Sequence, residues 1–174
     1  MADILIFGYG NPSRGDDALG PAFLELLDRN LDGDTRRAAG GIEFLTDFQL
    51  QVEHALDLKN RKLVLFADAH ALCAPPWRLE RLAEAEDVSY TTHALSPAAV
   101  LSVYRRIHGV APPPSFLLGI RGERFELGDG LSDAASIHLD AALKLALDLC
   151  AHPAEAYWMK LVAAGPVEEN RGVG

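Results

Sequence analysis

The sequence predicts an α/β fold: a three-layer sandwich with a mostly parallel, twisted sheet of about five strands, helices on both faces and one antiparallel edge strand. Three observations carry this. Apolar runs with little alternation at residues 3–8, 62–67 and 115–120 suit strands buried on both faces, as in a parallel sheet. Between them lie stretches with apolar residues at helical spacing. Pro75-Pro76 then leads into a polar–apolar stretch, Trp77 to Leu82, of the kind found at a sheet edge. With 174 residues, the chain has the size of one domain. Residues 1–150 read as that α/β domain and 151–174 as a C-terminal extension, partly disordered because its end is polar and glycine-containing.

Taken in order, residues 3–8 form the first strand. Leu19, Phe23, Leu26, Leu27 and Leu31 mark the first helix, with Pro21 tolerated in its first turn. A short second strand is expected near residues 35–39, followed by Gly40-Gly41. A second helix is expected from Thr46, where Thr46 and Gln49 have capping-box spacing and Leu45 with Leu50 form the staple. Residues 62–67 are the strongest strand and end at Asp68. A third helix opens at Ser96-Pro97, an N-cap followed by proline at the first helical position, with Leu101, Tyr104 and Ile107 as its buried stripe. After the strand at 115–120, Ser132 caps a long helix reaching about Cys150.

Composition narrows the function classes. A net charge of −9 disfavours nucleic acid and anionic membrane as partners. No apolar run approaches membrane-spanning length, and the opening residues carry no leader pattern, so a cytoplasmic location is expected. Cys73 and Cys150 form no metal-ligand pattern, and no structural disulfide is expected. A monomer is expected because no exposed apolar stripe is left after the helices are packed. Neither a triphosphate-binding loop, a His-Glu-x-x-His helix nor a Gly-x-Ser-x-Gly elbow is present. Gly8-Tyr9-Gly10 is a fragment of the dinucleotide fingerprint, but Ser13 stands where the third glycine belongs. Asp16 and Asp17 would repel a pyrophosphate, so a degenerate dinucleotide-binding oxidoreductase is the weaker alternative.

In an α/β sheet the site lies beyond the C-terminal ends of the strands. Asp16 and Asp17 follow the first strand, and one of them is accounted for as a helix N-cap. Asp68 ends the most buried strand, where it either starts a turn or projects into the crevice; burying it without partners is costly. His93 lies in a short loop before the third helix. Asp17, Asp68 and His93 together make a plausible divalent-metal site. His70, two residues from Asp68, is the rival histidine; His54 and His108 read as surface groups.

The stretch Gly8-Tyr9-Gly10-Asn11-Pro12-Ser13-Arg14-Gly15-Asp16-Asp17-Ala18-Leu19-Gly20 closely resembles the opening motif of the hydrogenase maturation endopeptidases. These cytoplasmic proteases trim the C-terminal tail of the nickel–iron hydrogenase large-subunit precursor. Gly40-Gly41-Ile42-Glu43 resembles the family's glycine pair after its second strand, Val64-Leu65-Phe66-Ala67-Asp68-Ala69 its strand ending in Asp-Ala, and Thr92-His93-Ala94-Leu95-Ser96 its histidine loop. Gly119-Ile120 and Gly128-Asp129-Gly130-Leu131-Ser132 resemble its last strand and the entry to its last helix. Phe48-Gln49-Leu50-Gln51-Val52-Glu53 looks like the branch serving soluble NAD-reducing hydrogenases.

The resemblance implies a metal-dependent endopeptidase in which Asp17, Asp68 and His93 are the catalytic, metal-contacting side chains. It implies that the metal is nickel already inserted in the precursor, that the partner is that precursor, and that Asp16 is a cap or supporting group. A non-catalytic nickel checkpoint, which inspects the precursor while another protein cuts it, is the alternative from a different class.

Overall fold

A computed structural model describes residues 1–85 and 95–167. Five strands form one sheet: β1 (Ile4–Tyr9), β2 (Ile42–Asp47), β3 (Leu63–His70), β4 (Trp77–Arg81) and β5 (Ser115–Arg121), in the order β2-β1-β3-β5-β4. β2, β1, β3 and β5 run parallel, and β4 pairs antiparallel with β5 at the edge. The helices are α1 (Leu19–Asn30), α2 (Gly33–Ala38), α3 (Pro97–His108), α4 (Asp133–Ala151) and α5 (Glu155–Ala164). One core layer packs α1 and α4 on the sheet through Phe23, Leu27, Leu65, Leu118, Ala142 and Leu149. The opposite layer packs α3 and a 3₁₀ helix, Val52–Leu58, against Leu5, Phe7, Val64 and Phe66. The expected three-layer α/β architecture is therefore the observed one.

Several local expectations are corrected. Residues 35–39 are not a strand: Asp32 accepts hydrogen bonds from the backbone N–H and the hydroxyl of Thr35, capping α2. The second strand is β2, so Gly40-Gly41 precedes it, at the end of the sheet opposite the strand C-termini. Thr46 does not cap a helix; it lies in β2, in register with Gly8. The helical turn comes later, where the Gln51 side chain and His54 form the capping box. β3 does not stop at Asp68 but pairs with β5 as far as His70. The buried face of α3 is Ala99, Val100, Leu101, Val103 and Tyr104, and Ile107 is 49% exposed.

The third-helix start and the last helix are as expected. Ser96 accepts from Ala99 N–H with Pro97 in the first turn, and Ser132 accepts from Ala135 N–H at the head of α4. Residues 155–164 of the C-terminal extension form α5. Its Trp158 is wholly buried, set edge-on against Phe116 and donating to Leu149 O. No described helix is long and apolar enough to cross a membrane.

Candidate active site

The sheet order fixes where a site can form. From β1 the chain crosses to β2 on one side; from β3 it continues to β4 and β5 on the other. The two connections diverge beyond the C-terminal ends of β1 and β3, which leaves a crevice there. Close packing brings the next turn over that crevice. Gly20 on α1 sits so near β1 that a Cβ would lie 2.3 Å from Tyr9 O, and one on Gly10 would lie 2.0 Å from Asp17 O. Only glycine permits either approach.

The turn holding the two aspartates is a 3₁₀ helix, Gly15–Ala18. Neither carboxylate caps α1, contrary to the N-cap expectation: α1 starts without a side-chain cap. Asp17 is half-buried, and its Oδ2 accepts from Asn11 N–H at 2.8 Å. Asp16 is wholly buried and faces the other way, into residues 122–132.

Asp68 lies in β3, beside Gly119 of β5 and next to Tyr9 of β1, one residue beyond the Gly8–Ala67 pair. It is half-buried. Burial is the largest influence on its carboxyl and pushes it up; the negative charge of Asp17 adds to this. Hydrogen bonds from Ala69 N–H and the Tyr9 hydroxyl pull the other way, and the net result is a pKa of about 7. Tyr9 is pushed well above the usual phenol range, first by burial, then by the Asp68 charge and the hydrogen bond to it. The Asp17 charge thus acts on Asp68, which lies within β3 rather than opening a turn.

His93 lies outside the described residues. Among the described residues no group of three His, Cys, Asp or Glu side chains is placed to hold a metal ion. The described donors in the crevice are two carboxylates. Such donors suit a hard or borderline divalent cation. His70 is committed elsewhere: its Nδ1 accepts from Leu72 N–H at 3.0 Å and Cys73 N–H at 2.9 Å, which closes the turn after β3.

Two histidines read as surface groups are not. His54 packs edge-on against Phe7, with its Nε2 3.3 Å from Asp47 and its Nδ1 accepting from Gln51 N–H. His108 lies tilted against the Tyr104 ring, and its Nε2 is buried with no hydrogen-bond partner among the described residues.

Sequence reasoning missed Tyr9 as part of the site. Its signal was a hydroxyl-bearing aromatic at the last position of a buried strand.

Solved structures share this arrangement of elements. The hydrogenase maturating endopeptidase HybD from Escherichia coli matches with 28% identity and a TM-score of 0.63, over 85% of this chain and 91% of that one. The solution structure of an endopeptidase from Escherichia coli matches with 27% identity and a TM-score of 0.64, over the same shares, 85% and 91%. The [NiFe] hydrogenase maturation protease HycI from Thermococcus kodakarensis KOD1 has the same fold at 19% identity and a TM-score of 0.65, over 86% and 92%. No family model and no curated protein sequence matches the chain.

Proposed function

Taking as premise that the chain belongs to the hydrogenase maturation endopeptidases, a family of peptidases, we propose that it removes the C-terminal tail of the nickel-loaded large-subunit precursor of a nickel–iron hydrogenase. The observation that carries this reading is the convergence of Asp17 and Asp68 beyond β1 and β3. The negative charge of Asp17 raises the proton affinity of Asp68, and a cation between the two carboxylates relieves that repulsion. Nickel held by the precursor is that cation, and it belongs to the substrate.

In this reading Asp17, Asp68 and His93 meet the metal of the incoming precursor. His93 comes two residues before Leu95, which packs in the same apolar layer as Tyr9. Holding the metal places the scissile bond in the crevice, and such positioning alone is worth several kcal/mol of barrier. Before the metal arrives the Asp68 carboxyl, near 7, releases its proton readily at neutral pH, leaving a carboxylate to meet the cation. The likeness of residues 48–53 to the branch serving soluble NAD-reducing hydrogenases supports a precursor of that class. The protein acts as a monomer in the cytoplasm.

The test is the intact mass of a nickel-containing precursor incubated with this protein or with its His93→Ala variant, beside a nickel-free precursor. Loss of a C-terminal peptide only with nickel and only with the wild type is the expected result. Binding without cleavage would make the protein a checkpoint. Equal cleavage of the nickel-free precursor would remove the metal-reading role of the three residues.

A further inference from the structure

Asp16 is the only carboxylate among the described residues that is fully buried, and the chemistry above does not use it. Its Oδ2 accepts from Glu123 N–H at 2.7 Å, Arg124 N–H at 3.0 Å and the Ser132 hydroxyl at 2.7 Å. Its Oδ1 accepts from Ser132 N–H at 2.7 Å. Three of these donors are backbone amides, which cannot reverse their polarity. Both side-chain oxygens must therefore remain acceptors, and the amide of asparagine would set an NH₂ against an N–H.

The main chain repeats the same docking. Asp16 N–H donates to Arg124 O at 2.7 Å, Gly15 N–H to Asp129 O at 3.1 Å, and Gly128 N–H to Ser13 O at 2.8 Å. Gly15 adopts φ +57°, and a Cβ there would lie 2.5 Å from Arg124 O. Residues 122–132 are thus seated on the aspartate turn and on the loop before it, and Asp17 ties that loop back to the turn by accepting from Asn11 N–H. In a 3₁₀ helix successive side chains point about 120° apart, so anchoring one sets the direction of the next.

We propose that Asp16 is a positioning residue for Asp17: by locking the turn Gly15–Ala18 onto residues 122–132, it aims the Asp17 carboxylate into the crevice beside Asp68. This rests on the reading of Asp17 as a group that meets the substrate's cation. Asp16 does not touch that cation; it removes the freedom that a short, uncapped turn would otherwise have.

The experiment compares wild type, Asp16→Asn and Trp158→Phe, a core change on α5 that serves as a control for lost stability. Each is measured where circular dichroism shows it folded. One readout is calorimetric binding of Ni²⁺ alone; the other is the kcat and KM for processing of the nickel-containing precursor.

Asp16→Asn is expected to bind Ni²⁺ at least tenfold more weakly and to lose at least tenfold in kcat with KM within twofold. Trp158→Phe is expected to keep both within twofold even with a similar loss in Tm. If Asp16→Asn stays within twofold of wild type in both readouts, or Trp158→Phe loses as much, Asp16 is a brace for the fold and the proposal is wrong. Should Asp16→Asn not fold, Ser132→Ala, which deletes one of the four hydrogen bonds, takes its place. A threefold loss in both readouts is then expected, and no loss overturns the proposal.

A wild type that binds Ni²⁺ but processes nothing defeats the proposed function, while the Ni²⁺ titration still decides the role of Asp16. A wild type that does neither removes the inference together with the reading of Asp17.

Discussion

Asp16 and Asp68 lie on either side of Asp17, and the protein handles their charges in opposite ways. Burial pushes the Asp16 carboxyl up, but the hydrogen bonds from Arg124, Ser132 and Glu123 outweigh it and hold the carboxyl below its ordinary value. At Asp68 burial wins. The donors Ala69 N–H and Tyr9 do not offset desolvation and the neighbouring Asp17 charge, so the carboxyl rises to about 7. The lesson is one of donor count. A carboxylate surrounded by fixed amides is a structural anion, and one left short of donors beside a like charge is ready for a cation or a proton.

The sharpest way to break this comparison is at the crevice. Asp17→Asn and Asp68→Asn should each lower the rate of precursor processing by about 10³-fold or more, on the order of 4 kcal/mol of barrier, with the fold intact by circular dichroism. A variant that keeps a tenth of the wild-type rate would strip its residue of the assigned role.

Next in size is the structural anion. Asp16→Ala leaves three amides and a hydroxyl without their acceptor and should cost about 3–5 kcal/mol in urea denaturation. A loss below about 1 kcal/mol would mean that water substitutes freely and that the clamp is not one.

Asp68→Asn should do the reverse. The folded carboxyl lies near 7 and the unfolded one near its ordinary value, so the folded state binds the extra proton between them. The contribution of Asp68 is then fully present below about pH 4 and lost as pH rises through about 7. At pH 8 Asp68→Asn should stabilise the fold, by on the order of 2–4 kcal/mol, and should flatten the fall in Tm between pH 5 and 8. For Asp16, whose folded value is lowered, the sign is opposite: its contribution is present above the ordinary carboxyl range and lost as pH falls through the lowered folded value. Wild-type and Asp68→Asn melting curves that run parallel over pH 5–8 would contradict the contrast.

The smallest effect belongs to Tyr9. Tyr9→Phe deletes a hydrogen bond that favours the charged form of Asp68, worth about 1 kcal/mol. It should move the alkaline fall in stability to higher pH, by less than about one unit. A shift to lower pH would mean that the hydroxyl accepts from a protonated Asp68 instead of donating to a charged one.

The sequence carried the sheet-forming runs, the two serine caps and the positions of Asp17 and Asp68, because each is written in short-range periodicity or in a residue type with few alternatives. It failed at β2. That strand is only half-buried along its length, so it lacks the continuous apolar signal of β1 and β3. Thr46 and Gln49 have the spacing of a helix start, but pairing of residues 42–47 with β1 overrides local preference. Residues 35–39 failed because the Asp32–Thr35 cap was not read. Asp16 was read as a cap or supporting group, but its partners lie more than a hundred positions away, and no local pattern reaches that far.

By itself, then, the sequence determined which acidic residues stand at the strand ends and the order in which strands and helices bring them up, since hydrophobic period, caps and glycine turns act over a few residues. Tertiary structure alone decided which aspartate was buried against residues 122–132 and which was left half-buried at the C-terminal end of β1. That division depends on how many fixed backbone donors surround each carboxylate, a number set only when residues 122–132 settle onto the turn at Gly15–Ala18.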